Sequence, residues 1–256
     1  MARNLIKIYG ERNTGTNYLH DLIGLNLDVE LLPGGVPYSV AKLQGRLPGK
    51  EWLRDIFFLF TYPTNLGWKH SLVKSANQLC KYRITSNNLS FITLTKNPYS
   101  WLVSLYKRPY HQYWKSKPSF DAFLCTPWQT LLRENARKVY QNPIEIWNDK
   151  NRSYIQLGER FRVLNLTFES LLADPENTIE TIKATCSLTS KTPVFTNIEE
   201  STKKDSKSFY DYQNYYLNEI WRNELTDKAI LHINRFLDNN LLEYYGYHKL
   251  SKTGGP

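Results

Sequence analysis

Apolar positions along the chain fall into two kinds of run. Short, nearly unbroken runs rich in Ile, Val, Leu and Phe occur at residues 5–9, around 67–69, at 91–95 and at 161–166. Runs of that length and composition predict strands of a parallel sheet covered on both faces. Longer stretches, residues 15–26, 71–81, 98–106, 144–157 and 175–186, place apolar residues three and four apart and predict amphipathic helices. Their alternation with the strands gives βαβ units and an α/β fold, a three-layer sandwich with a central parallel sheet. Two helix starts are marked locally. Asn97 precedes Pro98, and Asp174 precedes Pro175 with Glu176 in the first turn. Past Ser187 the chain turns polar, with Lys203, Lys204 and Lys207, then aromatic. A mobile loop is expected there, followed by helices over 217–225 and 226–236.

In open α/β sheets ligands gather at the carboxyl ends of the strands, which here means loops beginning at Gly10, His70, Lys96 and Thr167. The first loop, Gly10-Glu11-Arg12-Asn13-Thr14-Gly15-Thr16-Asn17, joins a strand to a helix. Its two glycines have the spacing of a nucleoside triphosphate P-loop, but Thr16 and Asn17 stand where that motif has Lys and then Ser or Thr. What remains is an anion nest at a helix N-terminus, without the lysine for outer phosphates or the hydroxyl for Mg²⁺. A nucleotide anion bound without metal is the reading that follows. At the third loop, Lys96 and Ser104 lie eight residues apart, near one side of a helix start, where both could meet one phosphate.

Composition changes this picture little. At 256 residues and 41% apolar content the chain can form one domain, expected over 1–252, with residues 253–256 a flexible tail. Three cysteines, far apart, read as reduced packing residues, and no histidine pair has metal-ligand spacing. No leader is visible and no apolar run approaches membrane-spanning length, so a cytoplasmic protein without membrane contact is expected. The formal charge of +9 suits an anionic ligand without identifying it.

The sequence from the first strand through Arg12, Gly15 and Thr16 to Lys96-Asn97-Pro98 and Ser104 resembles the sulfotransferases that use 3′-phosphoadenosine 5′-phosphosulfate (PAPS). Residues 163–176 and 221–247 are similar to that family's later segments, so the likeness spans nearly the whole chain in order. The resemblance implies a P-loop-like sulfotransferase architecture, with Arg12, Asn13, Thr14, Gly15, Thr16 and Asn17 at the 5′-phosphosulfate. It also implies Lys96, Ser104 and Lys207 at the 3′-phosphate. Gly67-Trp68-Lys69-His70 resembles the family's Lys-x-His element, which makes His70 the leading general base, suited to the task by an ordinary pKa near 6.5. Glu30 and Glu11 stand next in line. The family carries Lys or Arg where this chain has Asn13, so Arg12 or Lys69 is left to supply the transition-state cation, unless Arg12 pairs with Glu11.

Two other readings remain open on the residues: a Mg²⁺-dependent P-loop kinase, and a basic nucleic-acid-binding module. The favoured acceptor is the hydroxyl or amine of a small molecule of natural-product type, with no nucleic acid, for a monomer or homodimer. Trp68, Trp101, Tyr106, Tyr110, Tyr113 and Trp114 are candidates to line its pocket.

Overall fold

The computed structural model describes residues 4–46, 51–86, 88–112, 114, 116–200 and 206–251, with backbone alone for 45 and 46. Tyr113, Lys203, Lys204 and the 253–256 tail lie outside the described residues. Four parallel strands form the main sheet, in the order β2 (Glu30–Leu31), β1 (Leu5–Gly10), β3 (Leu89–Thr95) and β6 (Arg162–Thr167). Every residue of β1 and β3 is buried, as the unbroken apolar runs require. Their side chains alternate between two cores. Ile6, Ile8, Ile92 and Leu94 face the larger one, whereas Leu5, Tyr9 and Phe91 face the smaller, with Leu66, Leu79 and Tyr154.

Helix α1 (Thr16–Asn26) follows β1 directly, and the chain then enters β2 on one side of β1 before returning as β3 on the other. That reversal makes the carboxyl end of β1 a topological switch point, where the sheet opens a crevice. Helix α2 (Tyr38–Arg46), helix α3 (Glu51–Asn65) and the one-turn α4 (Ala76–Leu79) fill the long connection to β3. Helix α5 (Pro98–Lys107) leaves β3 with Asn97 accepting from the Tyr99 N–H and proline in the first turn. After α6 (Phe120–Leu124) and the hairpin of β4 (Trp128–Gln129) and β5 (Val139–Tyr140), α7 (Pro143–Gln156) leads into β6. Helices α8 (Phe168–Ala173), α9 (Pro175–Cys186), α10 (Phe209–Leu217), α11 (Asp227–Phe236) and α12 (Asn239–Tyr245) complete the chain. The Asp174 side chain caps α9, with Pro175 and Glu176 in its first turn as the sequence indicated.

Three expectations are corrected. Residues 67–69 form a turn rather than a strand, because Leu66 and Gly67 are both left-handed, a conformation no strand accommodates. The helix expected over 71–81 shrinks to α4. The Leu72 N–H donates to the Glu134 carbonyl and the Val73 N–H to Ser153 Oγ, so helical bonding begins only after Ser75, which caps α4. Residues 209–217, where a mobile loop is expected, form α10 under a Ser208 capping box, whereas 217–225 is broken at left-handed Glu219 and holds a short 3₁₀ turn.

Candidate active site

The first loop is shaped by its glycines. A Cβ on Gly10 would lie 2.6 Å from the Leu94 carbonyl oxygen, and one on Gly15 would lie 2.5 Å from the Phe168 ring. Gly15 is left-handed at φ 87°, as is Asn13 at φ 67°, so the chain curls back before α1 begins. No side chain caps α1. Its N-terminal N–H groups and their partial positive charge therefore face the crevice. The buried Asn13 Nδ2 has no hydrogen-bond partner among the described residues. Thr14 turns inward instead, its hydroxyl donating to the Glu11 carbonyl at 2.6 Å.

A second segment runs beside this loop. The Lys7 ammonium, fully buried under the sheet, donates to the carbonyls of Pro33, Asn65 and Gly67 at 2.6–2.8 Å. It thereby fixes the turn that carries Lys69 and His70. The Gly10 N–H donates to the Lys69 carbonyl at 2.9 Å, and the Lys69 ammonium donates to Asn17 Oδ1. Burial lowers the Lys69 pKa to about 8. His70 Nδ1 lies 2.6 Å from the Gly10 carbonyl oxygen. A carbonyl only accepts, so Nδ1 carries the proton and Nε2 keeps its lone pair. Burial, and secondarily Lys69, holds the His70 pKa well below the usual histidine range, so the ring is neutral.

Arg12, Asn13, Gly15, Thr16, Asn17 and His70 line one cleft of about 490 Å³, together with Arg108, Pro109 and Tyr110. The Arg12 guanidinium stands 3.9 Å above the Tyr110 ring, and its carbonyl accepts from Trp101 Nε1 at 2.9 Å. It does not pair with Glu11, whose Oε1 takes the Arg12 backbone N–H and the Tyr110 hydroxyl. A smaller cavity of about 230 Å³ adjoins this cleft, the two sharing Asn13 and Arg108. Ser104, Lys107, Lys207, Asp211, Tyr212, Tyr215 and Tyr216 complete its walls. Lys96 lies behind that wall with no exposed surface, donating to Ser104 Oγ at 2.9 Å and standing 3.7 Å over the Tyr216 ring. Burial brings its pKa down to about 7.

The structure thus gathers His70, Arg12, Asn13, Gly15, Thr16 and Asn17 around one cleft, with Lys69 bonded to Asn17 at its edge. It gathers Ser104 and Lys207 around the neighbouring cavity. Lys96 is adjacent but screened, and Thr14 is turned away. Glu30 pairs with Leu5 at the amino end of β1, about 17 Å of strand away from the loop, so it is no substitute base. Among the aromatic candidates, Tyr110 lines the cleft and Trp68 packs against the His70 ring at 4.9 Å. Trp101 belongs to the core, and Tyr106 and Trp114 pack against it partly buried.

Sequence reasoning missed Lys107, Arg108 and the tyrosines of α10. It also missed a buried cluster beneath the loop. Lys150 on α7 contacts Glu11 and lies 2.8 Å from Glu134, all three almost or wholly buried. The basic end of α5 was a usable signal for the first pair; nothing local marked Lys150. Among the described residues no group of three or more His, Cys, Asp or Glu is placed to hold a metal ion. Nor is any described helix long and apolar enough to cross a membrane.

Residues 6–245 match the sulfotransferase domain family. No curated protein matches the chain in sequence. Among solved structures, mouse sulfotransferase SULT7A1 complexed with PAP shares 12% identity, over 94% of this chain and 78% of that one, with a TM-score of 0.39. With the family spanning nearly its whole length, this α/β chain, its parallel sheet flanked by helices, belongs to the sulfotransferases.

Proposed function

We propose that the chain transfers a sulfuryl group from PAPS to a hydroxyl or amine of a small-molecule acceptor, in line and without a metal ion. The observation that carries this is the meeting, in one cleft, of an uncapped helix N-terminus behind Gly15 with a neutral His70 whose Nε2 is free of its own proton. The residues fit a bisphosphate nucleotide. The Phe168 ring packs so close to Gly15 that any side chain there would collide, which keeps the left-handed curl ahead of the helix N-terminus, and the unpartnered Asn13 Nδ2 supplies a donor. Asn13, Gly15, Thr16 and Asn17 would hold the 5′-phosphosulfate through N–H groups and the helix dipole. Ser104 and Lys207, with Lys107, would hold the 3′-phosphate, and Lys96 supports Ser104 from behind.

When bound, the cofactor supplies an activated sulfuryl group on a phosphate leaving group. Arg12 and Lys69 would supply the positive charge that stabilises the leaving phosphate, a charge Asn13 does not carry. His70 Nε2 takes the acceptor proton, while Nδ1–H on the Gly10 carbonyl keeps the ring turned toward the cleft. Metal independence rests on chemistry the loop lacks, with Thr16 and Asn17 where a P-loop carries Lys and a Mg²⁺-binding hydroxyl. The same proposal takes residues 1–252 as one domain and the cytoplasm as the setting, in keeping with three free cysteines. Replacing His70 by Ala should lower turnover by about 10²–10⁴-fold, the usual contribution of a general base, and leave the affinity for 3′-phosphoadenosine 5′-phosphate (PAP) unchanged. Steady-state rates beside calorimetric PAP titration check this, and undiminished turnover would place the base elsewhere.

A further inference from the structure

Beneath the cleft, contacts close into a ring. The Lys150 ammonium contacts the Glu11 carboxylate, next in sequence to Gly10, and donates to the His70 carbonyl at 2.8 Å. The His70 ring returns to Gly10 through Nδ1 and the Gly10 carbonyl at 2.6 Å. Glu134 completes the ammonium's coordination at 2.8 Å, while its backbone carbonyl receives the Leu72 N–H two residues past His70. Phosphate loop, base and α7 are therefore tied at one buried nitrogen. We propose that Lys150 is a positioning residue, which fixes the His70 ring relative to the phosphate loop by holding Glu11 and the His70 carbonyl together.

Its burial fits this role. Lys150 and Glu134 have no exposed surface and Glu11 has 2%. Burial opposes the charge on Lys150, but Glu11 and Glu134 prevail and hold its pKa raised. Breaking such a cluster from one side leaves buried charge uncompensated, so the ammonium is fixed in place. The groups acting on His70 are Lys69, Arg12 and Lys150, which all disfavour its protonation, and the Gly10 carbonyl, which favours it. Glu11 and Glu134 meet it through Lys150, and His111 lies 3.5 Å from Glu134. Removing the ammonium deletes a repelling charge and unties the Glu11 side of the loop from the His70 backbone, so the ring is easier to protonate and free to turn.

The catalytic consequence rests on His70 being the base, but the test does not. With ¹⁵N-histidine-labelled full-length protein and saturating PAP, wild-type His70 should show the neutral Nδ1–H tautomer from pH 6 to 8. In Lys150→Met the ring, no longer held against the Gly10 carbonyl, should lose the single tautomer, and PAP release from PAPS should fall about 100-fold, the scale of a 1 Å misplacement. Glu134→Gln keeps both ties to Lys150 and should retain the wild-type tautomer. Should Lys150→Met fail to fold, the neutral triple variant Lys150→Met, Glu11→Gln, Glu134→Gln gives the same reading on the tautomer. A His70 that keeps its single Nδ1–H form in whichever lysine variant folds overturns the proposal. Wild-type protein that binds PAP but never consumes PAPS would instead overturn the function, leaving the tautomer result to stand alone.

Discussion

Two lysines with no exposed surface lie against the cleft and its neighbouring cavity, and their surroundings drive them in opposite directions. Lys150, under the cleft, touches two carboxylates and is held charged. Lys96, behind the neighbouring cavity, has a hydroxyl and a ring face for partners. Glu169 lies within its field, but the Glu169 oxygens are engaged by the Asn97 N–H and the Tyr247 hydroxyl. Burial alone does not decide what a lysine does. A charge compensated on the spot becomes a structural tie, whereas one left short of a counter-charge is held below its ordinary pKa.

The contrast is sharpest in stability. Lys150→Met strands two buried carboxylates and should cost about 3–5 kcal/mol in denaturant unfolding. Lys96→Met breaks no direct ion pair and leaves Glu169 its hydrogen bonds from Asn97 and Tyr247, so it should leave the empty protein between unchanged and about 2 kcal/mol more stable. Its PAP affinity should fall about tenfold, or 1.4 kcal/mol. Equal losses of stability in the two variants would erase the distinction. The pH dependence is a finer test. Lys96 has a folded pKa of about 7 against an ordinary 10.5, so over that window the unfolded chain binds the extra proton and stability rises with pH. The slope from this group is at most about 1.4 kcal/mol per pH unit and should vanish in Lys96→Met. Lys150, with its pKa raised, contributes fully below 10.5 and loses its contribution as pH climbs through the folded value.

These two lysines also mark how far the sequence could be read. Lys96 was legible because it ends an apolar run and precedes Asn97-Pro98, a local sign of a strand passing into a helix. The turn between β1 and α1 was legible for the same reason, since Leu5 to Gly10 and the second glycine at Gly15 are close in sequence. Lys150 sits on an amphipathic helix among Asp149, Asn151 and Arg152, where any charge looks solvent-facing. Its partners Glu11 and Glu134 are 139 and 16 residues away, and the fold alone brings them together. The strand expected at 67–69 failed for a related reason. Its position is set by Lys7 and Tyr9 pulling on the carbonyls of residues 65–67, contacts that no periodicity encodes.

If the cleft is built for a bisphosphate nucleotide, two cations held below their ordinary pKa await its charge, Lys69 at about 8 and Lys96 at about 7. Calorimetric titration of PAP into the full-length protein at pH 8, with EDTA and in two buffers of different ionisation enthalpy, addresses this directly. Binding without a divalent ion, with net proton uptake that declines in Lys96→Met, is the outcome required. Absence of binding, or binding restored only by Mg²⁺, would contradict it.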